Sequence, residues 1–364
     1  MAAFLFNEYT FLLWWIALMT VVSQFADVTV TVDVLGEKKR RVNLLFAVLV
    51  FFPIFRLAAY GPVLGDVGSY LMSYGRMPGQ LSAVATYLKN HNSGFGYDII
   101  ELLIKCLSGG SDTAYRVSIA LIHSIPIVLI LRRYSENYLM SVFLFVAATD
   151  HIAWMMNGLR QFVAIVIIFS SLPLMVKRRF VSAALVIFLA SMIHTSSLIM
   201  LPVLFVVQGE AWNWKTILSI LAAVVAMYVF SVNIRLFDVL VENTEYEGAV
   251  NTWIAMGDDG ANPIRVLVSA VPVIIAFIGR KQLQEQHDPI INLCINMSVI
   301  TLGLYMIAMV TSGIMVGRLP GYTSLYNLIL YPSLIRHVFT RDSARIITVM
   351  LVAGYLAYYI YSMS

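Results

Sequence analysis

The sequence predicts an all-α integral membrane protein with about twelve transmembrane helices. Of its 364 residues, 60% are hydrophobic and only 12% are charged, and the mean hydropathy is +0.83. This composition is far from that of a soluble domain of similar length. Helices satisfy their own backbone polar groups in lipid, and the sequence lacks the period-2 alternation of a membrane barrel. The spanning elements are therefore expected to be helices.

Apolar runs along the chain mark the candidate spans. They cover residues 4–23, 42–60, 113–131, 139–149, 162–176, 180–207, 217–232, 264–279, 290–311, 322–335 and 346–361. Several can cross about 30 Å of hydrocarbon, and neighbouring residues can complete the shorter ones. The first run lacks a basic n-region and a small-residue cleavage site, so it is interpreted as a span. The short segment 97–107 is expected to form an interfacial or re-entrant helix.

Basic clusters predict the orientation, because Lys and Arg collect on the cytoplasmic side. The clusters are Lys38-Lys39-Arg40-Arg41, Arg132-Arg133, Lys177-Arg178-Arg179, Arg280-Lys281, and Arg336 with Arg341 and Arg345. A single membrane domain over 1–364 would then have outer loops at 61–112, with short helices, and at 233–263, which is acidic. This arrangement requires 180–207 to form two short helices that turn near His194. One long tilted span is the alternative.

The sequence carries no signature of a metal or nucleotide site. Cys106 and Cys294 lie in apolar segments and are expected to pack there, and no CxxC or HExxH motif occurs. No Gly-rich phosphate loop follows a strand. We therefore expect no cofactor and no metal ion. The net charge of +4 is accounted for by the basic clusters, so nucleic acid is not an expected partner.

An arginine lies near the start of one apolar run, in Asn157-Gly158-Leu159-Arg160-Gln161. Helical spacing would place Asn157, Arg160 and Gln161 on one face. A cation in a hydrophobic segment is costly, so it usually has a pairing or functional role. Such a face is a candidate binding surface for an anion.

Three further cations are predicted at the depth of Arg160. Counted at 1.5 Å per residue from the nearest basic cluster, Arg56, Arg160, His194 and Arg318 lie roughly 22–27 Å above the cytoplasmic interface. Two interpretations are open. The side chains could be anchors that reach the outer headgroups, or they could form a pocket for an anion with more than one charge. Since the planar fork of arginine suits phosphate oxygens, we favour the pocket.

Polar neighbours accompany this layer of cations. Asp66, Tyr70 and Tyr74 are spaced by four residues and would line one face of a helix. Pro320 can open a helix after Arg318, which would place Tyr322 on the same face as that arginine. The alternative for the tyrosines is an interfacial aromatic belt.

Several short polar motifs follow one another along the chain. Asn157-Gly158-Leu159-Arg160-Gln161 precedes Lys177-Arg178-Arg179-Phe180 and Met192-Ile193-His194-Thr195-Ser196-Ser197-Leu198. Earlier come Arg56, Gly65-Asp66, Tyr70 and Gly94-Phe95-Gly96-Tyr97, and later Arg318 and Tyr322. Over nearly the whole chain this order resembles the EpsG family of Wzy-like polysaccharide polymerases. The family usually has a glutamate before its Gly-Phe element. In this chain Asn92-Ser93 occupy that position, so Asp66 is the remaining candidate for a carboxylate role.

The resemblance implies a metal-independent glycosyltransferase in the bacterial cytoplasmic membrane. It would transfer a polyprenyl-pyrophosphate-linked oligosaccharide onto another lipid-linked repeat unit at the outer face, with membrane lipids and a chain-length regulator as further partners. Arg160 and Arg318 would hold the pyrophosphate, and His194, in preference to Asp66, would take the acceptor proton. The expected substrate-binding residues are Arg56, Asp66, Tyr70, Tyr322, Gln161 and Asn157.

Other functions predict different patterns. A flippase or other transporter should show charges along a midplane path and two related halves, and neither is seen in the sequence. A lipid-linked-sugar glycosyltransferase or glycan ligase would need nearly the same site and differs only in its acceptor. A structural scaffold leaves the layer of cations unexplained.

Overall fold

The computed structural model describes residues 7–63, 65–80, 87, 95–240 and 248–363. The chain divides into two compact units, Met1–Leu198 with Arg345–Ser364, and Ile199–Ala344. Outside the described part lie, among others, residues 4–6 of the first apolar run, Asn92, Ser93 and Gly94, and residues 241–247 of the acidic loop. Each unit is described by itself below.

Helices dominate both units. Residues up to 198 form α1 (Glu8–Phe25), β1 (Thr29–Val34), β2 (Glu37–Val42), α2 (Leu44–Tyr60), α3 (Val67–Arg76), α4 (Phe95–Ser108), α5 (Asp112–Tyr134), α6 (Tyr138–Ala147), α7 (Asp150–Met156), α8 (Leu159–Ser170), α9 (Leu172–Val176) and α10 (Phe180–Ile193). A 3₁₀ turn, Thr195–Ile199, follows. Then come α11 (Met200–Val206), α12 (Trp214–Val232), α13 (Leu236–Leu240), α14 (Ala249–Met256), α15 (Pro263–Ile278), α16 (Arg280–Glu285), α17 (Pro289–Met309), a 3₁₀ turn (Val316–Arg318), α18 (Gly321–Ser324), α19 (Asn327–Val338) and α20 (Arg341–Met363).

Five described helical segments are long and apolar enough to cross a membrane. They are Asp112–Tyr134, Leu159–Val176, Trp214–Val232, Pro289–Met309 and Arg341–Met363. Helices α6 and α7 would form a sixth span that bends by 73° at Thr149, whose φ is 60°. Several other predicted crossings, α2, α10 and α15 among them, are helices of 10–17 residues. The all-α membrane class is confirmed, whereas the count of about twelve is not.

The first basic cluster, Lys38-Lys39-Arg40-Arg41, lies on a strand, which the hydropathy pattern did not predict. Strands β1 and β2 pair antiparallel, with Val34 opposite Glu37 across Leu35 and Gly36. Both turn residues have positive φ, 58° and 93°, as a tight two-residue hairpin requires. Alternating Thr and Val in β1 match the period of a strand, which the hydropathy profile passes over because the segment is short and half polar.

Helix α8 lies at the centre of the first unit, packed between α5 and α10. Within the span Leu159–Val176, 67% of the apolar window is buried, against 17% for Arg341–Met363. The helix that carries Arg160 is therefore enclosed by protein, whereas α20 presents its apolar side chains outward as a lipid-facing helix does. Helix α4 packs on α5 and α10 near the start of α8.

Helix α17 occupies the corresponding place in the second unit, against α12, α15 and α19. Its buried amides are hydrogen bonded, as burial of polar groups requires. Asn296 Oδ1 accepts from Thr216 Oγ1 at 3.0 Å, and its Nδ2 donates to the Val207 carbonyl at 3.1 Å. Asn292 Oδ1 accepts from the Ala211 amide at 3.1 Å. These bonds tie the loop before α12 to the central helix.

Candidate functional site

The predicted Gly65-Asp66 element lies against Asn157. The Asn157 Oδ1 accepts the amide of Asp66 at 2.6 Å, although 91 residues separate the two. Gly65 has a φ of +52°, and a Cβ there would collide with the same Oδ1. A glycine is therefore required both by the backbone and by the contact. Helix α3 begins immediately afterwards and confirms the helix expected from the spacing of Asp66, Tyr70 and Tyr74.

Asn157 and Arg160 do not share a helix face as the spacing predicted. Asn157 ends α7, and Gly158, with φ −86° and ψ 54°, breaks the helix before α8 begins at Leu159. A Cβ on Gly158 would lie 2.7 Å from the Trp154 ring, so a tight turn forms here. Asn157 points to Asp66, while Arg160 opens the first turn of α8.

Arg160 is fixed at the end of α10. Its Nε donates to the Ile193 carbonyl at 2.6 Å, and the side chain is half-buried. Within the described part of the chain, the guanidinium makes this single hydrogen bond through Nε. Nη1 and Nη2 are therefore available to a ligand. Gln161, the next residue, is buried. The bond at Nε pre-orients the two remaining nitrogens.

His194 follows directly after this contact. Helix α10 ends at Ile193, and His194 is extended, with φ −145° and ψ 113°. The break in the helix that the basic clusters predicted near His194 is thus present, while the membrane hairpin stays a prediction. The His194 Nδ1 lies 2.8 Å from Ser196 Oγ. Arg160 and His194 are brought together because Ile193 links them.

Helix α4 approaches the same place. A Cβ on Gly96 would lie 2.8 Å from the Met192 carbonyl oxygen, so the start of α4 meets the end of α10 with no room for a side chain. At its other end, Lys105 Nζ donates to the carbonyls of Tyr74 and Gly75 at 2.6 and 2.8 Å. Helix α4 is thereby fastened to α3 and α10.

A carboxyl group that the sequence did not single out lies inside this arrangement. Glu101 is 2% exposed, and its Oε1 accepts the Tyr115 hydroxyl at 2.8 Å. The hydroxyls of Tyr115 and Tyr97, both buried, are 2.9 Å apart. Burial raises the pKa of Glu101 to about 7, with a smaller upward effect of Asp98, while the Tyr115 hydrogen bond and Arg160 act downward.

Tyr70 connects this group to Arg160. Its ring meets the Tyr97 ring edge-on, with centroids 5.9 Å apart at 65°. Burial raises the pKa of Tyr70, and the backbone N–H and the charge of Arg160 lower it. Tyr70 therefore lies between the Tyr97 ring and the start of α8. Glu101 could have been suspected from the sequence, because it interrupts an otherwise apolar stretch of α4 one turn after Tyr97.

Arg56 is not joined to this group in the described residues. It lies exposed on α2, with no hydrogen bond or ion pair to the described part of the chain. Arg116, on α5, donates to the carbonyl of Gly61 at 2.5 Å. Since Gly61 is the C-cap residue of α2, this bond fixes the end of that helix. The residues brought together in the first unit are therefore Asp66, Tyr70, Asn157, Arg160 and His194, with Tyr97, Glu101 and Tyr115 added.

Arg318 and Tyr322 belong to the second unit. Arg318 ends a 3₁₀ turn, and α18 begins after Pro320, as predicted. Tyr322 is only 1% exposed, so in this structure its ring packs in the protein interior and does not present a surface to a ligand. The side chain of Arg318 is half-buried.

An aspartate shapes the chain before Arg318. Asp258 accepts hydrogen bonds from Ser312 Oγ at 2.6 Å, and from the amides of Gly313 and Ile314 at 2.9 and 3.1 Å. The amide of Gly260 adds a fourth at 3.2 Å. Burial alone would raise the pKa of Asp258, but these hydrogen bonds outweigh it and hold the pKa below its ordinary value. Among the described residues, no group of three or more His, Cys, Asp or Glu side chains could hold a metal ion.

Comparison with known proteins identifies a family. The family model of the EpsG family matches residues 42–364. No curated protein and no solved structure matches the chain.

Proposed function

The chain belongs to the EpsG family, and from this premise we propose that it is a polysaccharide polymerase with a lipid-linked substrate. Family membership indicates a membrane-bound protein of exopolysaccharide biosynthesis. The finer proposal is that it transfers a polyprenyl-pyrophosphate-linked oligosaccharide onto the sugar of another lipid-linked repeat unit, at the outer face of the bacterial cytoplasmic membrane. The single observation that carries the proposal is the arrangement of Arg160.

Arg160 meets the needs of a pyrophosphate leaving group. When the glycosidic C–O bond breaks, negative charge grows on the departing phosphate oxygen, and fixed cationic donors stabilise it. Arg160 is held at Nε by the Ile193 carbonyl, so Nη1 and Nη2 can form the bidentate contact that phosphate favours. Because Arg160 is half-buried on an enclosed helix, this interaction is less screened than it would be in bulk water.

The remaining residues supply sugar contacts in this proposal. Asp66, exposed at the start of α3, can accept hydrogen bonds from sugar hydroxyls, and Tyr70 offers both a ring and a hydroxyl. Asn157 positions Asp66 through the backbone. The sequence adds Arg318 as a second proposed pyrophosphate ligand, with Arg56 and Gln161 in supporting roles, whereas the buried Tyr322 is left out of the proposal. From the sequence alone, the acceptor proton is expected to pass to His194, in preference to Asp66.

The test uses purified protein in nanodiscs with lipid-pyrophosphate-linked repeat units, and products resolved as a ladder on a gel. Arg160→Lys keeps the charge but loses the planar fork, so we expect turnover to fall about 10²- to 10³-fold. Arg280→Lys is the matched control, because Arg280 is exposed and bonds only the carbonyl of Phe277 in the described chain. A ligase would give no ladder from lipid-linked units alone. Full activity of both Arg160→Lys and Arg160→Ala would refute the assignment.

A further inference from the structure

Three buried side chains near Arg160, those of Tyr97, Tyr115 and Glu101, form a continuous line of hydrogen bonds. Glu101 and Tyr97 lie one turn apart on α4, and Tyr115 reaches between them from α5. All three side chains are at most 2% exposed. Burying an ionisable carboxyl group beside an apolar helix is unfavourable, and a single bond from Tyr115 is a weak structural reason for keeping one there.

The hydrogens in this line have a definite direction. Ionised Glu101 can only accept, so the single hydroxyl hydrogen of Tyr115 points to Glu101. Tyr97 must then be the donor in its 2.9 Å contact with Tyr115. The Tyr97 oxygen is left as the accepting end of the line. A proton that arrives there can be passed on as each tyrosine gains one hydrogen and releases another.

Tyr97, at the accepting end, lies next to Tyr70, one of the residues proposed to bind substrate. The Tyr70 and Tyr97 rings make an edge-type contact, with centroids 5.9 Å apart, and Tyr70 is half-buried next to the backbone of Arg160. In the proposal that follows, the acceptor sugar enters beside Tyr70 and its hydroxyl reaches the Tyr97 oxygen, while the lipid-linked donor lies on Arg160. Asp66 is exposed, by contrast, and His194 is bonded through Nδ1 to Ser196.

We propose that Glu101 is the terminal acceptor of the proton that leaves the acceptor sugar hydroxyl, delivered through Tyr97 and Tyr115. This inference rests on the proposed function. In the step, the hydroxyl oxygen bonds to the anomeric carbon, and the C–O bond to pyrophosphate breaks with its electron pair on the leaving oxygen. The hydroxyl proton passes to Tyr97, the Tyr97 proton to Tyr115, and the Tyr115 proton to Glu101. Glu101 later returns its proton to water.

The titration of Glu101 suits this role. Burial brings the pKa of Glu101 to about 7, and a base is most effective when its pKa lies near the working pH. The charged and titratable groups that face it from its own and the neighbouring elements are Tyr70, Tyr74, Tyr87, Tyr97, Asp98, Tyr115 and Arg160. Because Glu101 must be ionised to accept, turnover should fall as the pH falls through 7.

The experiment compares Glu101→Gln with Tyr115→Phe in the nanodisc assay across pH. Glutamine keeps the acceptor oxygen for Tyr115 but cannot take a proton, so kcat should fall about 10²- to 10⁴-fold with KM nearly unchanged. The residual activity should lack the acid limb. Tyr115→Phe interrupts the line and should also lower kcat. The matched control is Tyr74→Phe, because Tyr74 stacks on Tyr115 at 4.5 Å but its hydroxyl contacts Ser108, outside the line.

The outcomes separate this inference from the proposed function. If the wild type forms a ladder and Glu101→Gln retains wild-type kcat or its acid limb, the Glu101 assignment is wrong and polymerase activity stands. Equal losses in Tyr74→Phe and Tyr115→Phe would reduce the line to a packing role. A wild type that forms no ladder refutes the proposed function, and the assignment with it. Folding is checked by a monodisperse elution and by Tm. If Glu101→Gln does not fold, Tyr115→Phe and Tyr97→Phe decide, and a normal kcat in both overturns the inference.

Discussion

The contact between Gly65 and Asn157 makes a quantitative prediction about the first outer element. Gly65→Ala puts a Cβ into the left-handed region, which costs about 1–2 kcal/mol. The new Cβ also displaces Asn157 Oδ1, so the bond to the Asp66 amide is lost, at about 1 kcal/mol. The expected destabilisation is therefore about 2–3 kcal/mol. Asn157→Ala removes only the hydrogen bond and should cost about 1 kcal/mol.

The double mutant gives the sharper test. With Asn157 truncated, the alanine at 65 has nothing to displace, and only the backbone cost adds to the lost bond. Gly65→Ala with Asn157→Ala should therefore be no less stable than Gly65→Ala alone, a coupling of about −1 kcal/mol. Tm in detergent and kcat/KM in nanodiscs are the measurements. Gly75→Ala is the control, since a Cβ there meets nothing within 4 Å. Strict additivity of the two single substitutions would refute the geometry.

Three further predictions concern orientation, the histidine and the second unit. In a chain without its native cysteines, single cysteines at Gly75 and Asp259 should react with an impermeant thiol reagent added outside cells, and one at Lys38 should not; the reverse pattern would invert the orientation. His194→Gln should lower turnover yet keep the acid limb of the pH profile, whereas loss of that limb would make His194 the base. Asp258→Asn should lower Tm at neutral pH, because the amide nitrogen cannot accept from Ser312. Since the folded pKa of Asp258 is depressed, its contribution is present above the ordinary pKa of about 4 and is lost as the pH falls below it, so the Tm difference should shrink there.

Much of the site was visible in the sequence as separate pieces. The spacing of Asp66, Tyr70 and Tyr74 predicted α3, and the orientation required by the basic clusters predicted a break near His194. Residue spacing did not predict the helix break at Gly158. Glycine is tolerated within helices, and the close contact of Gly158 with Trp154 is set by the tertiary fold. The expected face of Asn157 and Arg160 was wrong for that reason.

The sequence alone determined the class of protein and the local elements. Apolar runs that lack period-2 alternation can span lipid only as helices, and helical periodicity is a local property that a linear pattern records. The basic clusters and the Asn157 to Gln161 motif likewise needed no structure to be noticed, and the family match confirms the resemblance they indicated.

Tertiary structure alone decided which pieces meet. The bonds from Tyr115 to Glu101, from Arg160 to Ile193 and from Asp66 to Asn157 join residues 14, 33 and 91 positions apart. Each depends on how helix ends meet, which helical periodicity leaves open because it sets the face of a helix and not its neighbour. Glu101 shows the consequence. The sequence pattern alone places Glu101 on a helix. Its burial, its near-neutral pKa and its link to Tyr97 arise only because α4 packs against α5 beside the start of α8.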